Sequence, residues 1–99
     1  PIAATAPRVD HIHARVGHAE GPQVADPRAP EWQAALDAHL AWWDRIVARH
    51  RTAGAATLTV TPEFGPSPYM PCLPFTAMPV SDQWAINCHM MDLLRRRWA

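Results

Sequence analysis

Two short stretches of this chain alternate apolar and polar residues, and one long amphipathic stretch lies between them; nothing else in the sequence constrains the fold as much. In Val9–Val16, the residues Val9, His11, His13 and Arg15 fall on one side, and Asp10, Ile12, Ala14 and Val16 on the other. In Ala56–Phe64, Leu58, Val60, Pro62 and Phe64 alternate with Thr57, Thr59, Thr61 and Glu63. Both read as strands, with Pro62 marking where regular pairing ends. Between them, Trp32, Leu36, Leu40, Trp43, Ile46 and Val47 recur at helical spacing, which predicts a helix from Pro30 to about Arg51, stopped by Gly54. A second helix is expected from Asp82 to about Trp98, with Ser81 as its N-cap and Trp84, Asn87, Cys88, Met91, Leu94 and Trp98 on one side. Strand, helix, strand, helix requires a crossover, so the strands should be parallel and packed under the helices.

The connections differ in length. Gly17–Ala29 and the proline-rich Gly65–Val80 are long strand-to-helix loops, whereas ordinary connections run to about two to six residues. The proline-rich loop reads as stiff, because each proline fixes its own backbone angle and restricts its neighbour. In barrels of strand–helix units, function gathers at the C-terminal ends of the strands, where His13, Arg15 and Glu63 fall.

With nine arginines, no lysine, nine acids and six histidines, the 99 residues carry no formal net charge. That balance argues against a nucleic-acid partner and against a polybasic membrane surface. No apolar run approaches the roughly 18 residues of a membrane span. The N-terminal PIAATAPR lacks the pattern of a secretory signal, and Cys72 and Cys88 are too few to staple a small secreted domain, so a cytoplasmic location is expected. Hydrophobic residues make up 48% and charged residues 18%, below the usual charged share of about 25%, which points to a missing partner. The initial Pro1 points the same way, to a piece of a longer polypeptide in which Pro1–Ala6 ends an upstream element.

His11 and His13 lie about 6.5 to 7 Å apart along one strand face, where the outer imidazole is better placed to reach an ion. Together with Glu63 they suggest a mixed nitrogen and oxygen site suited to Mn²⁺, Co²⁺, Zn²⁺ or Mg²⁺. Arg15, two residues nearer the mouth, offers a guanidinium to a hydroxyl, carboxylate or phosphate oxygen, and His18 lies in the loop beside it, where it could touch a substrate. His39, His50 and His89 fall on helices and read as surface or packing residues. Trp42, Trp43 and Trp84 read as helix-packing residues, and Tyr69, Met70 and Phe75 as candidates to line a pocket. The two cysteines have neither CxxC spacing nor a clear base partner, which leaves a thiol mechanism with little support.

At HIHARVG…EGPQV and again at TPEFGPSPYMP the sequence resembles the sugar phosphate isomerase/epimerase family, metal-dependent enzymes with a xylose-isomerase-like (β/α)8 TIM barrel. The resemblance covers nearly the whole chain. It implies an α/β fold in which residues 1–99 form a single partial domain, the β-α-β-α C-terminal quarter of the barrel. The seventh strand would be Val9–Val16, the seventh helix Pro30–Arg51, the eighth strand Ala56–Glu63, and the eighth helix would start at Asp82. It makes His13 and Glu63 metal ligands, Glu63 also one of the catalytic carboxylates, Arg15 an anchor for a substrate oxygen, and His11 a support from one layer below.

The implied chemistry is proton transfer on an open-chain sugar or sugar phosphate through a metal-stabilised enediolate. The glutamate and aspartate that complete such a site have no counterpart here, so the 99 residues are expected to be inactive alone and open to self-association through exposed strand edges. Two other readings compete: a non-enzymatic interaction domain, sensitive to changes at Trp43 and indifferent at His13 and Glu63, and a TIM-barrel metal-dependent endonuclease or hydrolase with further histidine ligands upstream.

Overall fold

A computed structural model describes residues 2–54 and 57–99. A short helix α1 (Ile2–Thr5) runs into a 3-10 turn at Ala6–Arg8, followed by strand β1 (His11–Ala14), helix α2 (Gln33–Thr52), strand β2 (Thr59–Pro62) and helix α3 (Gln83–Arg97). The chain is mixed α/β. The two strands pair in parallel, with His11 opposite Thr59, Ile12 opposite Val60, His13 opposite Thr61 and Ala14 opposite Pro62.

Both strands are shorter than their alternation suggests. At the start of β1, the Val9 carbonyl accepts from His50 Nε2 on α2. At its end, the Arg15 N–H turns back to the His13 carbonyl at 3.0 Å, while the Val16 carbonyl accepts from Val24 in the following loop. β2 stops at Pro62, as a residue without an N–H predicts. Phe64, expected on the strand, has left the sheet, and Ala56 lies outside the described residues.

Helix α2 begins one turn later than Pro30, because Pro30–Trp32 form a 3-10 turn, and it runs one residue past Arg51. Gly54 ends it with a φ of 70°, the left-handed conformation that a residue without Cβ adopts most easily. Leu36, Leu40, Trp43, Ile46 and Val47 form its buried stripe. The cap of α3 is Asp82, whose side chain accepts from the Ala85 N–H at 3.1 Å. Ser81, the expected cap, instead donates to the Asp26 carboxylate.

The buried row of α3 is Ile86, Met90 and Leu94, at steps of four, so the apolar side differs from the expected one. Trp84 and Trp42 fall outside the core: Trp84 is 77% exposed and Trp42 about half exposed, while Trp43 is buried. Arg97 and the Trp98 indole both donate to Asp44, which ties the end of α3 to α2.

Ile12, Ala14 and Val16 pack with Leu36, Leu40, Trp43 and Ile46 of α2, the α3 row, Phe64 and Met70 into one core. The helices therefore cover one face of the sheet. The other face presents His11, His13, Thr59 and Thr61 to solvent. The radius of gyration is 14.7 Å, against about 13 Å for a compact chain of this length; the fold is an open layer. No helix among the described residues is long and apolar enough to cross a membrane.

Emptying the core should separate the two sides of α3. Met90→Ala is expected to cost about 2–5 kcal/mol in chemical denaturation, and Trp84→Ala less than about 0.5 kcal/mol.

Candidate functional site

Parallel register places His13 opposite Thr61, two residues before Glu63, so the imidazole and the carboxylate stand on the same uncovered face. They meet: His13 Nδ1 donates to Glu63 Oε2 across fifty residues of sequence. The two side chains are 65% and 41% exposed. An exposed pair of this kind contributes about 0–1 kcal/mol, so stability does not account for it. The contact uses Nδ1 of the imidazole.

His11, one step below, has its Nδ1 2.6 Å from Thr59 Oγ1 and its Nε2 3.3 Å from Thr61 Oγ1. A neutral imidazole has one donor and one acceptor nitrogen, so one threonine hydroxyl accepts and the other donates. Its ring meets that of His13 edge-on, with centroids 4.6 Å apart. Both nitrogens of His11 are thus occupied, and its ring packs against that of His13. Among the described residues no group of three or more His, Cys, Asp or Glu side chains could hold a metal ion; His13 and Glu63 form a pair.

Arg15 continues the face and lies over the Tyr69 ring, 4.7 Å from its centroid. Among the described residues it makes no ion pair with Glu20 or Asp26, and Asp26 bonds Arg28 and Ser81 instead. Tyr69 in turn sits close against Gly65, where a Cβ would meet the ring at 3.1 Å. Of the three loop residues expected to line a pocket, only Tyr69 reaches this group: Met70 is buried in the core, and Phe75 is fully exposed at a φ of 62°.

His18 is engaged elsewhere. Its ring lies 5.0 Å from that of Trp32, its Nδ1 accepts from the Glu20 N–H, and its backbone pairs with Gly21. His39 acts as a structural bridge, since its Nδ1 donates to the Ala35 carbonyl and its Nε2 accepts from the Gly17 N–H at 3.3 Å. Cys72 and Cys88 are free thiols.

Sequence reasoning missed the amides. The Gln23 side chain bonds both backbone groups of Gly65, and Asn87 both those of Phe64. A glutamine inside a loop and an asparagine on an otherwise apolar helix side were the only signals. No family model matches the chain, and neither does any curated protein or solved structure.

The loop after β1 is stapled to the start of α3 through Asp26. The Arg28 side chain, against the opposing effect of burial and with help from the Ser81 hydroxyl, lowers the Asp26 carboxyl from 3.8 to about 2. A carboxyl depressed in the folded state contributes stability that is complete above its unfolded value and is lost as pH falls through the folded one. Denaturation midpoints should therefore drop between about pH 4 and pH 2, and Asp26→Asn should flatten part of that drop. Asp44, lowered by Arg97, supplies a further part.

Proposed function

We propose that these residues are the C-terminal quarter of a (β/α)8 barrel and carry half of a divalent-metal site in a sugar or sugar phosphate isomerase or epimerase. The observation that carries the reading is the His13–Glu63 contact at the C-terminal ends of two parallel strands, on the face that no helix covers. Parallel sheets are covered on both faces in nearly all α/β proteins. A bare parallel face of imidazole, threonine and carboxylate groups suits the interior of a larger sheet, and an interior polar face suits a site.

The donor set, one imidazole nitrogen and one carboxylate oxygen, fits a divalent cation such as Mn²⁺, Co²⁺, Mg²⁺ or Zn²⁺. His13 and Glu63 would hold it once the proton between Nδ1 and the carboxylate is released to solvent, with the remaining ligands supplied by other strands, so the 99 residues alone would be inactive. When bound, such a cation polarises neighbouring carbonyl and hydroxyl oxygens and lowers the cost of removing a proton beside them. Glu63 is the carboxylate placed to move that proton. Arg15, free of a carboxylate partner among the described residues and steadied by Tyr69, would anchor a substrate oxygen. His11 keeps the His13 ring edge in place.

Exposed Trp84 favours the second reading, an interaction domain. Its discriminating residue moves with the structure: Trp43 is buried, so its loss would test folding, and Trp84 takes its place. Titration calorimetry of Mn²⁺ and Zn²⁺ into the full polypeptide carrying this segment separates the two. The enzyme reading predicts tight binding that His13→Ala and Glu63→Ala each weaken at least tenfold and Trp84→Ala leaves unchanged. Equal binding by all of them, or by none, would refute the site.

A further inference from the structure

Glu63 is the last side chain on the uncovered face before the chain leaves the sheet, and its own N–H reaches the Ala14 carbonyl only at 3.4 Å. Beyond it no described strand takes the backbone groups. The Phe64 N–H donates to Asn87 Oδ1 at 2.8 Å, and the Phe64 carbonyl accepts from Asn87 Nδ2 and from Gln83 Nε2, both at 2.9 Å. The Gly65 N–H donates to Gln23 Oε1 at 2.8 Å, and Gln23 Nε2 donates back to the Gly65 carbonyl at 3.1 Å. Each amide takes both backbone groups of one residue, as a neighbouring strand would. Gln23 is 5% exposed and is the buried polar residue of the described core.

We propose that Gln23 and Asn87 are positioning residues for Glu63. They fix the backbone on its C-terminal side so that the carboxylate stays on His13 Nδ1, in place of the sheet that ends at Pro62. They come from different parts of the chain. Asn87 references Glu63 to α3, while Gln23 references it to the loop after β1, and so to the strand that bears His13 and Arg15. A site group must be held within about 0.5 Å to act, and a carboxylate at the frayed end of a two-stranded sheet gains that hold from the two amides. The consequence for metal affinity rests on the proposed role of His13 and Glu63; the consequence for their contact does not.

The test uses volume-conserving variants of the full polypeptide and two readouts, ¹⁵N NMR of the His13 ring in the metal-free protein and Mn²⁺ titration calorimetry. Gln23→Met and Asn87→Leu are expected to shift the His13 Nδ1 signal to its position in Glu63→Gln and to weaken Mn²⁺ binding about 10–100-fold, the range seen when groups that orient a ligand are lost. Gln83→Met, which leaves the Phe64 carbonyl with Asn87, should move neither. Ile46→Val, a mild core change, should lower stability and leave both readouts in place, which separates positioning from general destabilisation. If Asn87→Leu does not fold, Gln23→Met decides alone. Wild-type His13 signals in Gln23→Met would overturn the proposal. Should His13→Ala leave Mn²⁺ binding intact, the metal site falls, and the His13 signals still decide whether the amides hold Glu63.

Discussion

The pairing of two four-residue strands in parallel, Ile12 against Val60, is the interaction on which the other features depend. Parallel pairing forbids a tight turn, so the chain must cross over through α2. The crossover brings an apolar stripe onto one face of the sheet and leaves the other bare. Because side chains alternate along a strand, burying Ile12 and Ala14 commits His11 and His13 to the bare face. A slip of one residue would send both imidazoles into the core.

From that commitment follows the division of labour in the molecule. One face holds the core, and the other holds exposed polar groups. His13 and Glu63 touch, His11 is set between two threonine hydroxyls, and Arg15 rests on Tyr69. The long loops are held by side-chain contacts rather than by regular pairing. Asp26 staples one to the start of α3, His39 holds the backbone of Gly17, and Gln23 and Asn87 grip the residues after Glu63.

Much of this is legible in the residues. Period-two alternation at Val9–Val16 and Ala56–Phe64 assigns the histidines of β1 and the threonines of β2 to the uncovered face, because it records burial directly. The α2 stripe and the stop at Gly54 follow from spacing and from glycine's freedom at positive φ. The end of β2 is legible at Pro62, but the start of β1 and the course of the chain after Glu63 are not, because they are set by side chains distant in sequence: His50 takes the Val9 carbonyl and Asn87 takes Phe64. The cap of α3 falls one residue later than expected because the Ser81 hydroxyl is drawn to Asp26, fifty-five residues away. Trp84 reads as a helix-packing residue because it shares a helix side with Met91 and Leu94, yet the packed row of α3 runs through Ile86, Met90 and Leu94. The His13–Glu63 contact is readable as a pattern, because the alternation puts both residues on one face near the strand ends.

If the bare face of β1 and β2 is a metal-holding surface built on His13 and Glu63, an anomalous difference map from Mn²⁺-soaked crystals of the full polypeptide tests it most directly. A single strong peak is expected within ligand distance of both the His13 ring and the Glu63 carboxylate, with His11 outside coordination. A peak placed elsewhere, or a structure in which His13 and Glu63 stand apart, would contradict it.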